Sequence, residues 1–265
     1  MGLFNKNKEP DMVEREDGLI DYDIYVLNKQ EKILYTALAA GALFGVGYLF
    51  YHSIILSALL ALLSVKFPKI MRGSIIKKRK RELNLQFKEM LYSLSSSLTA
   101  GRSVESGLKE SLKDLRIMYP DENTYILQEL AYIVRGIEMN ETVEDMLDQF
   151  AERSHLEDVM NFADVFRTCN RMGGDIVQVI KSTSNTISDK IEVKMEIDTL
   201  MSGKKYEFLI LMVVPVALIL LLSLTAYDYM APVFETTIGH IAMTVAVGIF
   251  GISYLIGQKF MDIDV

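Results

Sequence analysis

The chain has 265 residues, half of them apolar, a formal net charge of −7, one cysteine and no tryptophan. A lone cysteine excludes an intrachain disulfide and a cysteine-built zinc site, and an acidic balance without a broad basic face speaks against a nucleic-acid partner. The apolar residues are gathered into two close pairs of stretches, which is not the pattern of an ordinary soluble domain.

Residues 1–32 are polar, and Glu9, Asp11, Glu14, Glu16, Asp17, Asp21 and Asp23 crowd together in them. A tail of that composition is expected to be disordered. No small-residue cleavage pattern marks the apolar stretch that follows as a signal peptide.

Residues 33–70 are expected to form a membrane hairpin. A span needs roughly 20 apolar residues, so Ile33 to Val65 is too long for one and divides if the chain turns near His52 and Ser53. The two spans are then Ile33 to Tyr51 and Ser53 to about Ile70. The second reaches spanning length only if Lys66 and Lys69 extend their ammonium groups toward the headgroups. Gly41 and Gly45 form a GxxxG step with Ala37 one turn earlier, a spacing that lets a helix approach the adjacent span or a second subunit closely.

Residues 71–206 read as helix throughout, with Pro120 the single proline and apolar residues recurring at three and four. Leu83, Phe87, Met90, Leu91, Leu94 and Leu98 form the first stripe, which Gly101 ends. Ser103 caps a second helix carrying Val104, Leu108, Leu112 and Leu115. After a turn at Tyr119, Pro120 and Asp121, a third carries Ile126, Leu130, Ile133, Val134 and Ile137. Thr142 opens a fourth, with Asp145 as an acidic variant of the capping box. The fifth carries Val159, Phe162, Ala163, Phe166 and Cys169 and stops at Met172, Gly173 and Gly174. Asp175 caps the sixth, which uses Ile176, Val179, Ile180, Thr183, Ile187 and Ile191 and runs on toward the membrane. Ser103-Val104-Glu105 and Thr142-Val143-Glu144 open matching hexads, each after an amphipathic helix and a glycine, Gly101 or Gly136. Good caps look alike, but the shared context favours two copies of one helical hairpin, completed by a closing pair into a six-helix bundle.

Residues 207–257 are expected to form the second hairpin, Phe208 to Ala226 and Ile238 to Gly257, with Pro215 inside the first span and a short polar tail, 258–265, after the second. Of the 28 Lys and Arg residues, 22 lie between Lys66 and Lys205, and none lies in the Tyr227 to Thr237 loop or the His52 turn. Positive charge is retained on the cytoplasmic side, so both termini and the large insert are expected to be cytoplasmic. The expected fold is thus an all-α membrane protein: four transmembrane helices in two hairpins flanking a cytoplasmic six-helix bundle.

Lys77, Lys78, Arg79, Lys80 and Arg81 form the densest charge, read as a topology signal that touches anionic lipid or an acidic partner. His52, Asp228, Glu235 and His240 share metal-ligand chemistry but no ligand spacing, and no metal site is expected. His155 and Cys169 stand apart with no reason to meet as base and nucleophile; a surface histidine and a core cysteine are expected. No span holds an acidic residue or an arginine, which disfavours an ion pathway. No phosphate-cradling loop is present, and neither a catalytic residue nor a cofactor site is expected.

Phe87 to Leu115, FKEMLYSLSSSLTAGRSVESGLKESLKDL, resembles the opening hairpin of the type II secretion F family, with Ala100, Gly101, Ser103, Val104 and Leu108 at the matching positions. Ala151 to Ile187 is similar to that family's second half, where Gly173, Gly174, Ile176 and Ile180 take the corresponding places. The likeness extends from Ile33 to Gly257, and its single insert resembles the short Tad (Flp-pilus) branch, the Gly-Gly pair leaning to the B-type subunit. The resemblance implies an inner-membrane platform engaging a cytoplasmic secretion ATPase, a second platform subunit of C-type or itself, and pilin subunits. The rival expectation is a membrane-anchored signalling protein with a helical cytoplasmic domain.

Overall fold

A computed structural model describes residues 19–261, which are helical with no β-strand. The helices are α1 (Lys29–Tyr51), α2 (Ile54–Ala61), a 3-10 turn (Leu62–Lys66), α3 (Phe67–Thr99), α4 (Val104–Met118), α5 (Tyr125–Glu138), α6 (Val143–Ser154), α7 (Glu157–Met172), α8 (Ile176–Thr225), α9 (Tyr227–Glu235) and α10 (Thr237–Met261). They fall into two compact units. Unit 1 takes the described residues before Lys29 together with Met71–Glu192, and unit 2 takes Lys29–Ile70 and the chain from Val193 onward.

One core organises unit 1. The α3 stripe Leu83, Phe87, Met90, Leu91, Leu94 and Leu98 is buried together with Leu108, Leu112 and Leu115 of α4, Ile126, Leu130, Ile133 and Val134 of α5, Phe150 of α6, Phe162 and Phe166 of α7, and Ile180 and Ile187 of α8. Helical periodicity puts such residues on one face, and burial of that face, more than propensity, holds helices of this length in water. At the centre, the Phe87 ring meets Phe150 at 5.8 Å and Phe162 at 5.7 Å between centroids, both edge-on.

Three connections in unit 1 share one construction. In each, a residue in the left-handed region follows the helix: Gly101 (φ 83°), Asn140 (φ 68°) and Gly173 (φ 71°). The next N–H reaches back five residues, from Arg102 to Ser97 O, from Glu141 to Gly136 O and from Gly174 to Cys169 O. An N-cap oxygen comes immediately after: Ser103 Oγ accepts from Ser106 N at 3.3 Å, Thr142 Oγ1 from Asp145 N at 3.1 Å, and Asp175 Oδ1 from Gln178 N at 3.0 Å. The left-handed residue and the long backward bond satisfy the carbonyls at one helix end while the cap satisfies the amides of the next. Gly136 lies inside α5, where it leaves room for Met146 of α6, and the left-handed Asn140 ends the helix. A Cβ built on Gly101 or Gly173 meets nothing within 4 Å, so only backbone conformation opposes a side chain there. Gly101→Ala and Gly173→Ala are each expected to destabilise the protein by roughly 1–2 kcal/mol, and Asn140→Gly to be neutral or stabilising, as read by denaturant titration of the full chain in detergent.

Among the described residues four helical segments are long and apolar enough to cross a membrane, formed by α1, by α2 running on through α3, by α8 and by α10; unit 2 takes α1, α10, the second segment as far as Ile70 and α8 from Val193. Their apolar windows are almost wholly unburied, that of α8 entirely so. Apolar surface on that scale is abnormal in water and ordinary in lipid. His52 (φ 45°) makes the turn between α1 and α2, and Gly47 lets α2 close in, since a Cβ there would lie 2.9 Å from Ser57 Cα. The second apolar stretch differs from the expected regular helix: it tightens into the 3-10 turn over Leu62–Lys66 before α3 begins. Pro68 stands at the second position of α3 and has no N–H to give to Ser64, while Phe67 N closes the tighter bond to Ser64 O.

The Tyr227 to Thr237 connection, expected to be a loop, is largely helix α9. Met230 and Phe234, one turn apart, bury against Phe50 and Tyr51 of α1 and Met243 of α10, and that apolar pair is what orders it. Helix α8 continues through Pro215. The acidic residues Glu9, Asp11, Glu14, Glu16 and Asp17 of the expected tail lie outside the described residues, but the part around Asp21 and Asp23 departs from expectation. Leu19, Ile20, Tyr22 and Tyr25 are buried, and α1 begins only at Lys29.

Candidate functional site

The residues singled out by motif fall mainly on the connections of unit 1. Ala100, Gly101, Ser103, Glu105, Thr142, Gly173 and Gly174 are exposed there. Val104 is half-buried against the core, and Leu108 and Val143 belong to the core itself. Glu144 accepts a hydrogen bond from Asn170 Nδ2 of α7, tying α6 to its neighbour. Met139 and Met172, each just ahead of a left-handed residue, are 69% and 76% exposed. The connections therefore present small residues, capping Ser, Thr and Asp side chains and flexible thioethers.

The basic run has a different layout from the expected open cluster. Lys77, Lys78 and Arg81 are exposed, but Arg79 is buried and Lys80 half-buried. The Arg79 guanidinium carbon lies 5.2 Å from the centre of the Tyr25 ring and 5.9 Å from that of Tyr125, within the range of cation–π attraction. Lys80 Nζ donates to Asp23 Oδ1 at 2.5 Å. Arg79 is one turn before Leu83 and two before Phe87, so the α3 stripe itself carries it inward.

Beside this run is a buried ion pair with no sequence motif. Arg153 of α6 reaches Glu129 of α5 through Nη2 to Oε2 at 2.7 Å and Nε to the same oxygen at 3.2 Å, with both side chains at most 1% exposed. The face of Tyr132 lies 4.8 Å from the guanidinium carbon. Tyr22 donates its phenol hydrogen to Glu129, and burial, then the Glu129 charge, hold its pKa well above the ordinary value. Asp23 is held below the ordinary aspartate value of 3.8, chiefly by the Lys80 hydrogen bond. A carboxylate lowered in this way stabilises the docked segment above its undocked pKa and loses that effect as pH falls through the docked value. Hydrogen exchange of residues 19–25 is therefore expected to be insensitive to Asp23 ionisation above pH 3.8 and to rise selectively below it, whereas in Asp23→Asn the selective rise is absent.

A groove of about 500 Å³ between α7 and α8 is lined by Asp158, Cys169, Asp175 and Lys190 among others. Lys190 donates to Asp158 at 2.5 Å, and Asn84 of α3 donates to the other Asp158 oxygen at 2.9 Å, so these side chains serve one another. Cys169 is half-buried on the groove wall, not a core residue. His155 is 44% exposed and lies 3.3 Å from Asp21.

In unit 2, His52 packs on Phe234 at 4.2 Å and near Tyr48 and Tyr227, while His240 stacks on Tyr51. Among the described residues no group of three or more His, Cys, Asp or Glu could hold a metal ion. Gly41 and Gly45 face open space, whereas Gly47 is the glycine packed against α2. Among the described residues, therefore, none packs closely on Gly41 or Gly45.

The family model described as "Type II secretion system (T2SS), protein F" matches residues 90–224, just over half of the chain. The chain belongs to this family. The match starts within the α3 stripe and ends with the apolar half of α8, taking in all three capped connections, and it covers less than the Ile33 to Gly257 likeness read from the sequence. Four apolar helices together with this domain make the F-family chain a membrane platform protein of the type II secretion and type IV pilus family. No curated protein and no solved structure matches it.

Proposed function

We propose that this F-family protein is a Tad/Flp-type inner-membrane platform subunit, B-type in character, that couples a cytoplasmic secretion ATPase to pilin extraction and filament assembly. It performs no catalysis of its own. Both termini and unit 1 are cytoplasmic, and the four spans anchor the subunit and contact pilin helices, a C-type partner or another copy. The observation that carries this reading is one F-type core bracketed in the chain by two pairs of apolar helices. The concentration of Lys and Arg between the pairs supports the orientation, and the exposed linkers with Met139 and Met172 supply a contact surface for a moving partner. Exposed Lys77, Lys78 and Arg81 would meet anionic lipid.

Deleting the gene separates this reading from a signalling role. A platform loss leaves pilin transcripts and membrane-inserted pilin at normal levels while surface filaments disappear. A fall in pilin transcript with assembly intact for the pilin that is made would contradict the platform reading and favour a regulator.

A further inference from the structure

The segment Leu19 to Tyr25 has no extended secondary structure, yet it is held to unit 1 by side chains of alternating character. Asp21 lies against His155 at the end of α6, Tyr22 enters the core with its ring edge-on to Tyr125 at 5.6 Å and its hydroxyl on Glu129, Asp23 pairs with Lys80, and Tyr25 covers Arg79. Tyr22 N also donates to Arg153 O at 3.1 Å. The groups that receive the segment come from α3, α5 and α6, helices that are not consecutive with it in the chain. They offer a basic rim of Arg79, Lys80 and His155 around an aromatic socket whose floor is the Glu129–Arg153 pair. Acidic side chains meet the rim and an aromatic one meets the socket, the complementarity of a bound peptide.

We propose that unit 1 carries a recognition cradle for an acidic, tyrosine-bearing peptide, and that Asp21-Tyr22-Asp23-Ile24-Tyr25 of the same chain is its releasable occupant. This inference does not rest on the platform reading. Two observations favour a latch over a permanent part of the core. Docking leaves Nε and Nη1 of Arg79 buried without a hydrogen-bond acceptor, a cost that release removes. Only Val26, Leu27 and Asn28 separate Tyr25 from the start of α1, so a released segment stays close and redocks at high effective concentration. That short tether assigns the site to the chain's own segment over that of a neighbouring copy.

The wild-type full chain in detergent gives the first test, by hydrogen exchange. Peptides covering residues 19–28 are expected to exchange at least tenfold faster than those covering Ile126–Val134, with α5 still protected; exchange of both only together, by global opening, would overturn the proposal. Occupancy is tested with a synthetic peptide of residues 19–28. Added to a Lys80→Glu chain, a peptide carrying Asp23→Lys is expected to bind at least tenfold more tightly than the natural peptide, and to show the reverse preference on a Tyr22→Ala chain that keeps Lys80. A folded Tyr22→Ala chain that takes neither peptide would overturn the cradle. Finally, Asp23→Cys and Lys80→Cys in one chain lacking Cys169 are expected to be joined within the chain by a short bis-maleimide, which spans the gap left by the lysine stem. Bis-maleimide-linked dimers from mixed single-cysteine copies, in place of that intrachain link, would overturn the assignment to the chain's own segment.

Discussion

Replacing Arg153 by Met while Glu129 stays is expected to cost about 3–5 kcal/mol of stability, the range for removing one partner of a buried pair. The Glu129 carboxylate is wholly buried and receives two nitrogen donors of Arg153. Without the guanidinium, an anion would be left in the core without its ion-pair partner, and it would have to take up a proton or draw in water. Glu129→Leu in the wild-type background is expected to be equally harmful, because it strands the cation. The double change Glu129→Leu with Arg153→Met is expected to cost less than either single one, since well-packed apolar groups often replace a buried ion pair at little loss. Unfolding of the four proteins forms a double-mutant cycle. A coupling energy near zero would show that the pair is solvated in solution.

Truncating Phe87 to Ala is the second large effect, about 3–5 kcal/mol for a fully buried aromatic. Phe87 is 0% exposed and its ring is shared between Phe150 of α6 and Phe162 of α7. Phe162 in turn touches Phe166 at 5.9 Å, so the cavity would open where three helices rely on one another. Phe87→Leu is expected to recover more than half of the loss, because it restores most of the volume and forfeits the edge-to-face contacts, which contribute about 0.5–1.5 kcal/mol each. Equal destabilisation by Ala and Leu would mean that ring geometry, and not filled volume, dominates this junction.

The sequence was most legible where a periodic rule applies without competition. The stripe from Leu83 to Leu98 is buried residue by residue, and Ser103, Thr142 and Asp175 cap as their residue types allow. It was less legible where one signal masked another. Charge density in Lys77 to Arg81 hid the fact that Arg79 is in helical register with Leu83. Acidity around Asp21 and Asp23 hid Leu19, Ile20, Tyr22 and Tyr25, whose apolar content was the available sign of packing. Glu129 and Arg153 lie on the apolar stripes of α5 and α6, with Ile126 and Ile133 flanking Glu129 at helical spacing and Phe150 one turn before Arg153. Their placement was readable, whereas their pairing across 24 residues was not. Gly136 stood out only as the glycine before the second hexad, and the room it leaves for Met146 of α6 had no sign in the sequence. The connection at Gly173 and its Asp175 cap were legible too, and only their likeness to the Ser103 and Thr142 connections was not.

On the proposed platform role, the exposed connections of unit 1 meet a working secretion ATPase. A photo-crosslinking side chain at Glu105 or Met172, both on exposed positions beside those connections, placed in cells that are assembling filaments, tests it most directly. The expected result is a crosslinked product containing the secretion ATPase that disappears when the probe is moved to the buried position Leu108. Products that contain no secretion ATPase, while filaments assemble normally, would contradict it.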